Sequence, residues 1–190
     1  TQEDRNRAER KLRTAARVAG RHLPSGLPPI LYLTDPARTP DPVATASRLS
    51  SWHGLVYRHY GQPGHEQVAA DLAIVCRKRH VKLLIANDPM LAMQVGADGV
   101  HWPFAERGKA RRWRNRFALM TVSAHTPQQL RLLQNAVFDA APLSTAFPSA
   151  SPSARKPLGA LKFRKLARAS TLPVYAPVVF MPARHHLSHL

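Results

Sequence analysis

Short apolar runs alternate with amphipathic segments along most of the chain. The apolar runs predict seven β-strands, at 30–34, 54–58, 81–86, 99–102, 117–123, 138–144 and 172–176. Apolar residues at helical spacing predict helices between them, at 43–49, 66–79, 90–95, 106–114, 127–135 and 158–168. Strands that alternate with helices are typical of an α/β protein with a parallel sheet.

The first 29 residues differ from this pattern. Residues 5–21 predict an amphipathic helix rich in arginine, and the sequence LPSGLPP at 23–29 then interrupts regular structure. We therefore expect a basic helical extension and linker at 1–29, followed by a single barrel-like domain at 30–190. The N-terminal region lacks the apolar segment of a secretory signal. The only cysteine, Cys76, falls on an apolar helix face, so we expect a buried, unreactive thiol and a cytoplasmic protein.

The formal net charge of +17 favours anionic partners, which include phosphorylated metabolites and nucleic acid. The segment ERGKARRWRNRF at 106–117 places six basic residues around Trp113, a composition that can hold a nucleic-acid backbone. A solvated basic face with a packed Trp113 is the interpretation we favour. Because no apolar run reaches the length of a membrane span, we expect no membrane partner.

The segment from Asn87 to Trp102, NDPMLAMQVGADGVHW, carries the clearest chemical signal. Its Asn-Asp pair follows the apolar run 81–86, and functional residues of parallel barrels lie at the carboxyl ends of strands. Asp88 has two interpretations: a contact to metal or substrate, or a helix N-cap with Pro89 in the first turn. We predict that His101 is a core histidine rather than a catalytic base.

Four segments together resemble the thiamine phosphate synthase family, which includes the thiazole tautomerase relatives. They are LYLTD from Leu31, NDP to GADGVH at 87–101, VSAHT from Val122, and the block 144–176. The resemblance implies a TIM (β/α)8-type barrel. An eighth strand and helix are not visible, so we expect the barrel to be incomplete at the eighth βα unit. The tail, the N-terminal helix or a second copy in a homo-oligomer would then close it.

The resemblance also implies an activity and a set of site residues. Members of the family join hydroxymethylpyrimidine pyrophosphate to thiazole phosphate and release pyrophosphate with the help of Mg²⁺, so the expected partners are small phosphorylated heterocycles. By position in the motifs, the implied metal ligands are Asp88 and Glu106. The implied catalytic residues are Arg58 and Ser123, and the implied substrate contacts are His59, Asn87, Ser149, Ser151 and Lys156.

Several positions depart from the family pattern. Gly61 stands at a family lysine, and Val178 and Val179 stand at a Gly-Gly turn whose amides take a phosphate. A β-branched side chain disfavours the backbone conformations that glycine allows there. A second hypothesis is therefore a degenerate, non-catalytic barrel that binds an anionic partner, either nucleic acid or an acidic protein. The histidines at 185, 186 and 189 are expected to be a terminal tract rather than a metal site.

Overall fold

The computed structural model describes residues 2–134, 137–144, 146 and 157–176. The strands are β1 (Ile30–Leu33), β2 (His53–Tyr57), β3 (Lys82–Ala86), β4 (Gly99–Trp102), β5 (Leu119–Val122), β6 (Ala141–Pro142) and β7 (Val174–Tyr175). The α-helices are α1 (Gln2–Gly20), α2 (Pro42–Ala46), α3 (His65–Arg79), α4 (Pro89–Val95), α5 (Pro127–Leu132) and α6 (Ala160–Ala169). A 3-10 helix spans Phe104–Arg116.

The strands form a curled parallel sheet of five strands and a parallel pair that continues it. β1 to β5 pair in sequence order, and β6 pairs with β7. Two isolated parallel bridges, between Thr121 and Ala140 and between Ala124 and Leu143, connect β5 to β6. Helices connect most of the consecutive strands, which gives the α/β architecture of a TIM-like barrel. The predicted order of strands and helices is therefore confirmed.

Two elements differ from the sequence prediction. β6 is shorter than the predicted strand 138–144 because Pro142 has no N–H for the ladder with β5, although its carbonyl oxygen accepts from Ala124 at 2.9 Å. The predicted α-helix 106–114 is a 3-10 helix instead. The Arg107 guanidinium donates to the Phe104 carbonyl oxygen at 2.9 Å, and this oxygen is the acceptor that an α-helix assigns to the Gly108 N–H.

The core has two layers, which follow from the alternation of side chains along each strand. In β2, Leu55 and Tyr57 pack in the larger cluster between strands and helices, whereas Val56 packs in a smaller cluster inside the barrel. Cys76 lies in the outer layer and is 2% exposed, and burial raises the pKa of its thiol to about 12. The prediction that the Cys76 thiol is buried is confirmed, and its low reactivity stays a prediction.

The described residues contain seven strands, with no eighth strand between β7 and β1. Across this gap the Tyr175 hydroxyl donates to the Pro28 carbonyl oxygen at 2.6 Å. A cavity of about 1070 Å³, lined mainly by apolar groups, lies beside this bond between α1, β1 and β7. Among the described helices, none is long and apolar enough to cross a membrane. Residues 177–190, where the sequence predicts no eighth strand and helix, lie outside the described residues, so the incomplete eighth unit stays a prediction.

We predict that Gly99→Ala destabilises the protein by about 3 kcal/mol. A Cβ at Gly99 would overlap the backbone carbonyl of Leu119 in the adjacent strand, so β4 and β5 would have to separate. Urea unfolding measures the loss. The matched control is Gly108→Ala, because a Cβ at Gly108 meets no atom within 4 Å. Equal stabilities for the two variants would contradict the close pairing of β4 with β5.

Candidate active site

Polar residues meet at the carboxyl ends of β1, β2, β4 and β5. In β4, Val100 and Trp102 pack in the outer layer, so His101 between them faces the barrel interior. In β5, Met120 and Val122 pack outward, so Thr121 faces inward beside His101, with which it pairs in the strand register. Ser123 follows at the next inward position, and its backbone N–H donates to the Trp102 carbonyl oxygen at 2.9 Å. The parallel register therefore places a polar column inside this rim.

Arg58 follows β2 at the same rim and is fixed by β1. Its Nε donates to the Thr34 carbonyl oxygen at 2.8 Å, and its backbone N–H donates to the Thr34 hydroxyl at 2.9 Å. Burial lowers the pKa of the guanidinium from its ordinary value, yet arginine stays protonated in proteins. Arg58 is thus a positioned cation, with one Nη atom 4.0 Å from the Asp35 carboxylate.

Asp35, at the end of β1, is a rim residue that the sequence analysis did not select. Its carboxylate binds Arg38 at 3.0 Å and lies 4.0 Å from the Arg58 guanidinium. The Arg38 hydrogen bond, opposed by burial, holds the pKa of Asp35 below its ordinary value. Two cations therefore share one carboxylate, which leaves net positive charge at this point. Its position as an acidic residue directly after the predicted strand 30–34 could have identified Asp35 from the sequence.

His101 is 2% exposed, and both of its ring nitrogens have hydroxyl partners. Nδ1 lies 2.8 Å from Thr121 Oγ1, and Nε2 lies 2.8 Å from Ser123 Oγ. Burial, followed by the nearby charges of Arg58 and His125, lowers the pKa of His101 to about 3. The ring is therefore neutral near neutral pH. The prediction of a core histidine is confirmed, and its hydrogen bonds show that Thr121 also belongs to the site.

His59 lies beside Arg58 in sequence but packs elsewhere. It is 8% exposed, and its ring stacks on Tyr57 with centroids 4.9 Å apart. Tyr57 belongs to the layer between strands and helices, so His59 faces that layer. Its Nε2 has no hydrogen-bond partner among the described residues, and burial lowers its pKa. Arg58, by contrast, lies close enough to His101 for its charge to lower the pKa of that ring, after the larger effect of burial.

Asn87 and Asp88 follow β3 as a tight turn into α4. Asn87 has a left-handed φ of 54°, which asparagine tolerates, and its N–H donates to the His101 carbonyl oxygen at 2.8 Å. Asp88 Oδ1 accepts from the Leu91 N–H at 2.9 Å, and Pro89 occupies the first helical turn. The N-cap interpretation of Asp88 is confirmed. Its Oδ2 accepts no hydrogen bond from any described residue, so this oxygen keeps its capacity to bind a second group.

The second implied metal ligand is engaged elsewhere. The Glu106 carboxylate forms an ion pair with Lys109 within the 3-10 helix. Within the described ranges, no three His, Cys, Asp or Glu side chains are grouped to hold a metal. Mg²⁺ usually binds through one or two carboxylates together with substrate phosphates and water. The free oxygen of Asp88 fits this mode, whereas Glu106 would first have to release Lys109.

Several implied site residues fall in other parts of the chain. Ser149, Ser151 and Lys156 lie outside the described residues, as do Val178 and Val179 and the three histidines of the tail. Their implied roles stay predictions. The rim residues described above lie on or directly after β1 to β5.

The basic segment 106–117 carries a packed tryptophan. Trp113 is partly buried against the outer core layer, with its ring centroid 6.2 Å from that of Phe117. Arg114 is also engaged, because it binds Asp139 at 2.6 Å. The predicted packing of Trp113 is confirmed, and the choice of a solvated basic face over a nucleic-acid contact stays a prediction.

Comparisons with known proteins concern the family and the fold of this chain. A family model described as thiamine monophosphate synthase matches residues 50–177. A thiamine-phosphate synthase from Alcanivorax borkumensis is 40% identical over 75 residues, which cover 36% of this chain and 35% of that protein. The aligned segment thus spans about a third of that relative's length.

A solved structure is similar over a larger part of the chain. Thiamine phosphate pyrophosphorylase from Pyrococcus furiosus superposes with a TM-score of 0.61 over 76% of this chain and 72% of that chain. The sequence identity is 15%, so this similarity concerns the fold. The matched family segment contains Arg58, His101 and Ser123.

We predict that His101 makes the protein less stable as the pH falls. Its folded pKa of about 3 lies below the ordinary value of 6.5, so the unfolded chain takes up a proton between these values and the folded chain does not. The free energy of unfolding then falls as the pH drops from about 6.5, by up to about 1.4 kcal/mol per pH unit from this group.

Urea unfolding of wild type and His101→Gln at several pH values measures this contribution. Below about pH 6, we expect the free energy of unfolding of His101→Gln to depend less steeply on pH than that of wild type. The difference in slope should correspond to the uptake of close to one proton on unfolding. His22→Gln, in the exposed linker after α1, is the control for loss of any one histidine. Parallel curves for wild type and His101→Gln would show that the ring is not held neutral in the fold.

Proposed function

The chain belongs to the thiamine monophosphate synthase family, and we propose that it joins hydroxymethylpyrimidine pyrophosphate to thiazole phosphate in thiamine biosynthesis. In this reaction the C–O bond between the pyrimidine methylene carbon and pyrophosphate breaks. A C–N bond to the thiazole nitrogen forms, and pyrophosphate departs. The observation that carries the proposal is the juxtaposition of Arg58, His101 and Ser123 at the barrel rim, inside the matched segment.

Each of these side chains suits the departure of an anion. Arg58 is held by Thr34 so that its remaining N–H groups can donate to phosphate oxygens. The Ser123 hydroxyl is partly exposed at the rim and can donate to a further oxygen. Donors that are positioned before the reaction stabilise developing charge without reorganisation. The rim therefore supports stabilisation of the leaving pyrophosphate.

Asp88, with one free carboxylate oxygen, is the residue we propose to hold Mg²⁺ together with the pyrophosphate group. Mg²⁺ bound there supplies positive charge that offsets the charge of the leaving group. Glu106 is a second proposed ligand, available only when its ion pair with Lys109 opens. His59, Asn87, Ser149, Ser151 and Lys156 remain proposed substrate contacts by position in the motifs.

The direct test is turnover. Purified protein is mixed with both heterocycles and Mg²⁺, and release of pyrophosphate and formation of thiamine phosphate are measured together. Equal amounts of the two products are expected. If neither product forms at high protein concentration, the synthase proposal is wrong, although the fold and family stand.

Asp88→Asn separates the proposed metal role of Asp88 from its capping role. Asparagine caps helices as well as aspartate does, so we expect stability within about 0.5 kcal/mol of wild type. Because the ionised ligand is lost, we expect pyrophosphate release to fall about 100-fold. Asp88→Ala should lose both activity and about 1 kcal/mol of stability. Wild-type turnover by Asp88→Asn would assign Asp88 a capping role alone.

Arg58→Lys tests the anion contact at the rim. Lysine keeps the charge but loses the planar fork and the bond to Thr34, so we expect the KM for the pyrimidine pyrophosphate to rise about tenfold. The same substitution at Arg131, an exposed residue of α5, is the control and should leave the KM unchanged. Similar kinetics for Arg58→Lys and Arg131→Lys would remove Arg58 from the proposed site.

A further inference from the structure

The bonds of His101 raise a question about hydrogen positions. A neutral imidazole carries one N–H, yet hydroxyl groups lie 2.8 Å from both ring nitrogens. One hydroxyl must therefore donate to the ring, and the other must accept from it. The choice decides whether the Ser123 hydrogen points to the ring or to the rim.

The burial of the two hydroxyls settles this choice. Thr121 is 0% exposed, and its Oγ1 has no hydrogen-bond partner other than His101 among the described residues. If the ring donated to Thr121, the Thr121 hydrogen would be buried without an acceptor, which disfavours that tautomer about tenfold or more. Ser123 is partly exposed, so its hydrogen can reach water or a ligand.

We propose that His101 is a positioning residue in its Nε2–H tautomer, which directs the Ser123 hydroxyl hydrogen toward an anionic oxygen at the rim. In this arrangement Thr121 donates to Nδ1, Nε2–H donates to Ser123 Oγ, and Ser123 donates outward. The chain of bonds runs in one direction, from the buried strand β5 to the rim. This inference rests on the proposed function for the identity of the anion, which is a phosphate or pyrophosphate oxygen.

The direction of the chain has a consequence for selectivity. A Ser123 oxygen that already accepts from Nε2 offers mainly its hydrogen to the ligand, so the position suits groups that only accept, such as phosphate oxygens. Burial, and then the nearby charge of Arg58, disfavours a second proton on His101, which keeps the direction fixed. Arg58 and Ser123 then present donors to the same anion from different strands.

The tautomer is measurable without turnover. In long-range ¹H–¹⁵N spectra of the ¹⁵N-labelled, ligand-free chain, we expect Nε2 of His101 to resonate as a protonated ring nitrogen and Nδ1 as an unprotonated one. The ring signals that are absent from the spectrum of His101→Gln belong to His101. If His101→Gln does not fold, the ring signals that shift in Ser123→Ala identify His101 instead. A protonated Nδ1, alone or together with Nε2, would overturn the proposal.

Thr121 variants link the tautomer to binding. Thr121→Val removes the donor to Nδ1 at similar volume, so the preference for the Nε2–H form should weaken and pyrophosphate with Mg²⁺ should bind about tenfold more weakly. Thr121→Ser keeps the hydroxyl and should restore both the tautomer and the binding. An unchanged tautomer and affinity in Thr121→Val would overturn the positioning role. Because the spectra need no substrate, failure of this inference is distinguishable from failure of the synthase proposal.

Discussion

The close pairing of β4 with β5 is the constraint on which the rest of the site depends. Gly99 lies so near the Leu119 backbone that no side chain fits there, and this register carries His101 to Thr121 and Ser123. A buried imidazole is costly unless its nitrogens find partners. The hydroxyls of Thr121 in β5 and of Ser123 directly after it supply both partners at 2.8 Å. The strand register thus makes a buried histidine acceptable and turns it toward the rim.

The electrostatics of the rim follow from the neutrality of that histidine. If His101 were charged, its ring would be a buried cation next to the charge of Arg58, and both effects disfavour it. Because the ring is neutral, the positive charge near it comes from Arg58 and from His125 when that ring is protonated. The net charge of +17 raises the local concentration of anions around the whole molecule. The fixed donors at the rim, rather than this overall charge, give the site its geometry.

The sequence predicted the order of elements because strands of a parallel sheet are buried on both faces and appear as short apolar runs. The cap at Asp88 was also predictable, because its partners lie within one helical turn. The contacts of Asp35 with Arg58, and of His101 with Thr121, depend on strand register and join residues about 20 or more positions apart. One sequence, read alone, does not specify that register.

Local competition explains the remaining differences. Lys109 lies close enough in the 3-10 helix to take the Glu106 carboxylate, and the motif position alone did not reveal that pairing. Pro142 shortens β6 through its missing N–H, which the sequence did indicate. The roles implied for Ser149, Ser151, Lys156, Val178 and Val179 fall outside the described residues and stay predictions.

The central claim is that this rim binds phosphorylated heterocycles, and calorimetric titration tests it most directly. Thiazole phosphate is titrated into the protein in the presence of Mg²⁺ and pyrophosphate. The account predicts saturable binding in the micromolar range with one site per chain, lost when pyrophosphate is omitted or Arg58 is changed. The absence of any binding heat at millimolar ligand would contradict the claim and favour a barrel that has kept the family fold without its ligand.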